Sequence, residues 1–293
     1  MPELAEVEYF RRQWDSGLGS RVTGVATHSE KRVFRGTEVE ALEKALIGAK
    51  LLGSEGHGKQ MLFNFSHGAS LGIHLGMSGL LRVEDKGFLP GKHDHLVLFQ
   101  EKRSLVYSDP RMFGRIRFAL GKGKPEWWQD LPPSVISPGF TRAVLREQLH
   151  RGRRSPIKAA LLDQTIFPGV GNWMADEILW QMKLHPATRA GDLDDSRQRD
   201  LWRASRTICR TALKTIGVDR NEPPKNWLIH HRWEKGGRCP RDGTLLDHET
   251  IAGRTTAWCP VCQKPSSQLS GDRSSGVGGV QNFRKSRLAK KVG

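Results

Sequence analysis

Acidic residues are scarce in this chain: 31 Asp and Glu stand against 47 Lys and Arg, giving a net charge of +16 and an isoelectric point near 10.1. Such an excess costs self-repulsion unless an anionic partner offsets it, and nucleic acid is the commonest such partner. Cysteine is scarcer still. Four cysteines in 293 residues exclude a disulfide scaffold, and three of them lie close together toward the C-terminus at metal-like spacing. Apolar runs are short: none reaches the ~18 residues a membrane helix needs, and the mean hydropathy is −0.53. No charged-then-apolar leader opens the sequence, so the expected place is a reducing cell interior: cytoplasm, nucleoid or nucleus. No internal repeat is visible. What is present has the length of about two domains, each able to bury its own core.

The texture changes along the chain. Pro2 suits a first helical turn, Glu3 and Glu6 suit the positive end of a helix, and Leu4, Val7, Phe10 and Trp14 form an apolar stripe that Gly17 and Gly19 end. From Arg21 to about Leu120 short β-rich runs follow (62–65, 70–75, 80–83, 96–99, 105–107 and 115–119), punctuated by Gly, Asp, Lys and Pro as in an antiparallel sandwich or barrel. A helical stretch from Glu38 to Ile47 interrupts them. Beyond a Gly/Lys/Pro segment at 121–125 the spacing is helical, over 142–149, 156–163, 172–182 and 195–215. The expected units are residues 1–125, 135–235, a Cys-bearing hairpin at 236–263, and a tail at 264–293. The tail holds seven basic residues against Asp272 alone and is expected to be disordered.

Three motifs suggest chemistry. Cys239-Pro-Arg-Asp242 and Cys259-Pro-Val-Cys262 bring soft ligands together at two turns, as a zinc ribbon does, with Asp242 where a fourth cysteine is usual. Asp242 or the nearby His248 could complete the set; the bland alternative is a hairpin held by packing alone. Cys209, inside a predicted helix, reads as a buried thiol. Residues 163–177 read as a helix, a Gly-rich turn, and a new helix from Asn172, a corner whose free N–H groups suit phosphate but which also occurs as plain architecture. His93 and His95, at i and i+2, suit either a metal or a phosphate. Taken alone, Lys59 reads as a solvated charge, and Met77 and Phe113 read as core residues.

Together these segments resemble the formamidopyrimidine-DNA glycosylase / endonuclease VIII (Fpg/Nei) family. The resemblance rests, in order, on PELAEVE at 2–8, Gly58-Lys59, HLGMSG at 74–79, KHDH at 92–95, DPRMFG at 109–114, PGVGN at 168–172, and the ribbon with Arg254-Thr-Thr. It implies an α+β fold: an N-terminal β-sandwich domain with a leading helix, then a helix-two-turn-helix domain with a zinc-ribbon finger. It implies a base-excision repair enzyme acting on damaged double-stranded DNA, a monomer with one structural zinc ion and no membrane partner.

The resemblance also assigns roles. Once Met1 is removed, the Pro2 amine would attack C1′ of the damaged nucleotide. An α-amine with a pKa of ~7.7–8.0 is far more available near neutrality than a lysine at ~10.4. The resulting Schiff base would permit β- and then δ-elimination. Glu3 would be the general acid/base on the sugar, Glu6 a second carboxylate, Lys59 a phosphate and proton-transfer partner, and Arg254 a grip on phosphates flanking the lesion. Met77, Arg111 and Phe113 would fill the space of the flipped base. His74, His93, Arg154, Lys158 and Asn172 would hold phosphates. Cys239, Asp242, Cys259 and Cys262 would hold zinc.

Three departures qualify the match: Ala5 replaces a usual proline, Asp242 a cysteine, and the segment at 217–225 is shorter, by roughly ten residues, than the loop that closes over 8-oxoguanine in relatives specific for it. The last points to a wider range: formamidopyrimidines, hydantoins or oxidised pyrimidines. The rival readings are a non-catalytic damaged-DNA-binding protein on the same scaffold and a zinc-ribbon transcription regulator.

Overall fold

The structure is a computed structural model that describes residues 1–265. The expectation for 264–293 therefore lies, but for its first two residues, outside the described residues.

The first helix, α1 (Leu4–Gln13), starts two residues later than the sequence suggested, with Glu3 as its N-cap and Pro2 outside it. The reason is a long-range bond: the Leu4 N–H donates to the Gly169 carbonyl at 2.9 Å, so the chain enters α1 already tied to a distant segment. The apolar stripe of α1 then divides. Leu4 and Ala5 pack into the core of the helical domain, while Val7 and Trp14 pack into that of the sheets. One helix is shared by two cores, which places the N-terminus at the domain junction.

Next come β1 (Val22–Thr27), α2 (Val39–Leu46), β2 (Leu51–His57), β3 (Gln60–Phe65), β4 (Ala69–His74), β5 (Leu80–Asp85), β6 (Asp94–Gln100), β7 (Arg103–Ser108) and β8 (Arg115–Leu120). They form two antiparallel four-stranded sheets, ordered β1-β6-β7-β5 and β2-β3-β4-β8. Met61, Phe63, Leu71 and Ile73 of one sheet and Leu96, Leu98, Leu105 and Tyr107 of the other share a single core. The inner strands carry short apolar stretches such as Met61-Leu-Phe63 and Leu96-Val-Leu-Phe99, which made them legible. The edge strands β1 and β2 carry Gly24, Gly53 and Gly56, which dilute the alternation.

The helical domain comprises α3 (Glu126–Gln129), α4 (Arg142–Arg151), α5 (Ile157–Leu162), α6 (Asn172–Gln181), α7 (Asp195–Lys214) and α8 (Ile216–Asp219). Helix α6 is buried from Trp173 to Trp180 and is the axis of this core. Arg206 of α7 pins the incoming linker by donating to the carbonyls of Val135, Ile136 and Ser137 at 3.0, 3.2 and 2.7 Å. A final hairpin, β9 (Asp247–Ile251) and β10 (Arg254–Trp258), packs on α6 through Trp180, Leu228, Leu246 and Cys259.

Candidate active site and nucleic-acid interface

Helix α6 begins after Gly171, which has no side chain to cap it. The cap comes instead from the other end of the chain. Glu3 Oε2 accepts from Gly171 N at 2.9 Å and Met174 N at 3.1 Å, and Oε1 accepts from Trp173 N at 2.9 Å. A Cβ on Gly171 would stand 2.3 Å from the Glu3 carboxyl carbon, so the close approach requires glycine. The sequence reading offered these N–H groups to phosphate; in the structure Glu3 takes them. Glu3 is buried, and burial first, then repulsion from Glu6, push its carboxyl up to about 7, against the pull of Lys59 and the α6 N–H groups. Glu6 lies beside it, Oε2 accepting from Glu3 N at 3.1 Å and Oε1 from Trp173 Nε1 at 3.0 Å.

Lys59 sits in the β2–β3 turn, whose Gly58 abuts Pro168 and Gly169 across the junction. Its ammonium is held below the ordinary lysine range, chiefly by burial; Arg254 pushes the same way and Glu3 and Glu6 oppose. Arg254, exposed at the start of β10, is therefore in electrostatic reach of Lys59. The structure thus brings Glu3, Glu6, Lys59 and Arg254 to one place, next to Pro2.

Two loops beside this group meet through Asp109, which the sequence reading did not single out. Its carboxylate is fully buried and accepts from Ser78 Oγ (2.6 Å) of the 74–79 loop and from Gly114 N (2.7 Å) and Arg111 N (3.3 Å) of the 109–114 loop. Gly76, at φ +62°, lets the backbones touch: a Cβ there would lie 2.4 Å from Phe113 C. Phe113 is 44% exposed and Arg111 lies over its ring at 4.9 Å. Phe113 is therefore not the core residue its isolated motif suggested; Met112, with φ +55°, packs on the core instead. Met77 is half-buried.

The expected phosphate contacts fall into two groups. Arg154 and His93 are exposed. His74 Nδ1 accepts from Gly76 N at 3.1 Å, and burial with nearby Lys59 and Arg35 pushes its imidazole down to about 4, leaving a neutral ring with Nε2–H free to donate. Asn172 and Lys158 are already engaged. Asn172 Nδ2 donates to Thr255 O at 2.8 Å, while its Oδ1 is buried without a partner. Lys158 is fully buried, ion-paired with Asp176 and donating to Asn172 O at 2.9 Å, so it does not face a phosphate here. Asp176 also accepts from Arg232 Nε (3.0 Å) and Ala257 N (3.2 Å), which fastens the hairpin to α6. The sequence held no signal for that network, since its members lie on four elements.

The metal reading of 92–95 is corrected: His95 is buried, its Nε2 bonded to Asp109 O at 3.0 Å and its Nδ1 to His28, away from exposed His93. Among the described residues, the group with ligand geometry is Cys239, Asp242, Cys259 and Cys262, whose donor atoms lie within 4.8 Å of one another. The Cys239 and Cys262 sulfurs are 3.9 Å apart, against the about 3.8 Å that two Zn–S bonds of ~2.3 Å imply at a tetrahedral centre. Asp242 faces Cys262 Sγ at 3.1 Å and Cys259 Sγ at 3.5 Å. These residues fit zinc. His248 does not join them: its Nε2 bonds Arg232 O at 3.1 Å. Cys209 is buried in α7, as expected.

Two family models match: the formamidopyrimidine-DNA glycosylase N-terminal domain over residues 1–116 and the H2TH domain of the same enzymes over 131–221. The formamidopyrimidine-DNA glycosylase of Thermomicrobium roseum is 35% identical, over 90% of this chain and 99% of that protein. The one from Xanthomonas euvesicatoria pv. vesicatoria is 34% identical, over 90% and 100%. Among solved structures, MutM in complex with DNA containing carbocyclic 8-oxo-G superposes with a TM-score of 0.80 at 29% identity, and wild-type Lactococcus lactis Fpg with DNA containing an oxidized pyrimidine with 0.80 at 30%. Each covers 90% of this chain and all of the other.

Proposed function

The chain belongs to the formamidopyrimidine-DNA glycosylase family, and on that premise we propose that it is a DNA glycosylase of base excision repair that also cleaves the strand it has depurinated or depyrimidinated. The observation that carries this reading is the buried Glu3 carboxyl, set by two domains beside Pro2, Lys59 and Arg254.

With Met1 removed, the Pro2 secondary amine attacks C1′ as the C1′–base bond breaks. Glu3, which burial and Glu6 keep protonated near neutrality, gives its proton to the opening sugar ring. The amine and C1′ then form a Schiff base, whose electron sink allows loss of the 3′ and then the 5′ phosphate. Lys59 and Arg254 bear on those phosphates. Exposed Phe113 and Arg111, on the loop Asp109 organises, suit the gap left by the flipped base. Cys239, Asp242, Cys259 and Cys262 would hold zinc, which would cross-link the two turns of the hairpin that carries Arg254.

The lesion range follows from the connector after α7. It is short, and α8 is drawn against α1: Arg220, at φ +56°, places its guanidinium 5.2 and 5.7 Å from the Tyr9 and Phe10 rings. Among the described residues no long segment is left there to close over one base, which supports a broad range that includes formamidopyrimidines, hydantoins and oxidised pyrimidines.

Borohydride trapping on duplexes with an abasic site, 8-oxoguanine, a hydantoin or thymine glycol tests the whole reading. A covalent adduct at the abasic site is expected, with adducts at more than one of the three bases. Tight binding without any adduct would instead make this a damaged-DNA-binding protein on a glycosylase scaffold.

A further inference from the structure

Trp173 is the second residue of α6, its side chain almost wholly buried at the junction. It donates to both carboxylates. Its backbone N–H goes to Glu3 Oε1 at 2.9 Å, and its indole Nε1–H goes to Glu6 Oε1 at 3.0 Å. The other Glu6 oxygen accepts from Glu3 N at 3.1 Å. Glu6 is thus held at both ends, by a ring that cannot turn inside the packed core and by the peptide of Glu3 itself.

We propose that Trp173 is a positioning residue for base excision: its indole N–H fixes Glu6 as a stationary negative neighbour of Glu3, and so keeps the transferable proton on Glu3. The inference rests on the proposed role of Glu3 as proton donor and adds what regulates it.

Several other groups face Glu3. From α6 come the N–H groups of Gly171, Trp173 and Met174, and from the β2–β3 turn comes Lys59; these favour the charged carboxylate. Lys158 of α5 also lies in reach, but its charge is engaged by Asp176. The Cys209 thiol of α7 is pushed up to about 12 by burial and stays neutral. Against these cationic and N–H partners, burial is the larger hold on the Glu3 proton, and Glu6 is the neighbouring charge that adds to it. A Glu6 free to swing away would weaken that hold, and Glu3 would lose its proton at lower pH.

Trp173→Phe keeps an aromatic ring and the backbone N–H and removes the indole donor, together with part of the buried indole volume, whose cost thermal unfolding reads separately. Single-turnover excision from a formamidopyrimidine duplex is to be followed from about pH 5 to 9. The alkaline limb, which reads loss of the Glu3 proton, is expected to move down by about one unit, so that the rate near pH 8 falls roughly tenfold while the rate near pH 5.5 changes by less than about twofold. Glu6→Gln is expected to move the limb the same way, and adding Trp173→Phe to it to move the limb no further, since the two act in series. Trapping at a preformed abasic site, where no base has to leave, is expected to change far less than excision. An unmoved alkaline limb in Trp173→Phe, or a loss uniform across pH, would overturn the proposal, as would additive shifts in the double variant. Should the unsubstituted protein fail to trap at the abasic site, the enzymatic reading itself falls, and the inference with it.

Discussion

At Glu3 a single carboxyl closes the N-terminus of α6 and stands beside the residue proposed to attack the sugar. The two tasks pull in opposite directions. Three N–H donors favour the charged form, yet burial and Glu6 win and hold the group near 7. A general acid poised there works best in the neutral range and fails above it, so excision should decline as pH rises through about 7. Glu3→Gln removes the proton donor while leaving an oxygen for the helix terminus. Single-turnover excision is expected to fall at least ~100-fold, with DNA affinity kept within about threefold; full excision by this variant would refute the assignment. Pro2→Gly replaces the secondary amine by a primary one, and trapping should weaken or move to another amine, which peptide mapping of the adduct would read.

The elements explain why some of this was legible in advance and some was not. Inner strands such as β4 and β6 carry runs of apolar residues, and α7 carries an unbroken helical stripe capped by Asp194, so pattern alone finds them. Pro2, Glu3, Lys59 and Arg254 were proposed from motifs in fixed order, not from any local property. What no pattern reveals is a partner far along the chain. The corner at 168–172 looks like a phosphate cradle until Glu3 is seen to fill it, and Lys158 looks like a surface cation until Asp176 and Arg232 close around it. Asp109 is the same kind of residue for the loops. Asp109→Ala leaves the Gly114 N–H and the Ser78 hydroxyl without their acceptor, so a loss of ~1–3 kcal/mol in stability is expected from denaturant unfolding. Excision should suffer more than trapping at an abasic site, where no base must be flipped; equal losses would mean that the loops serve stability only. For the hairpin, Asp242→Cys supplies a fourth thiolate to the cluster, and zinc is expected to resist chelators longer than in the unsubstituted protein. Cys262→Ala should release the metal and weaken DNA binding together. Unchanged zinc content in Cys262→Ala, measured by elemental analysis, would exclude this cluster as the site.

Over the whole molecule, the excess of basic charge has to be divided between contacts that position a duplex and charge that merely attracts it. Glu3, Glu6, Lys59 and Arg254 converge where α1, the β2–β3 turn, α6 and the hairpin meet, so the proposed catalytic group exists only when both cores are folded around α1. Cations such as Arg111, Arg154 and Arg254 lie exposed on that assembly. Residues 264–293 add seven basic side chains and one acidic one. If those seven act by releasing counterions, each phosphate they meet contributes about 0.9 to the slope of log affinity against log salt concentration. A chain ending at residue 263 should then bind undamaged duplex more weakly at low salt, with a shallower slope, and the difference should shrink as salt rises. Its single-turnover excision under saturating enzyme should be unchanged, because positioning and chemistry stay with the junction. Equal low-salt binding with and without the segment would show that the attraction comes from the folded domains alone. A fall in excision at saturation would instead place part of the segment against the site.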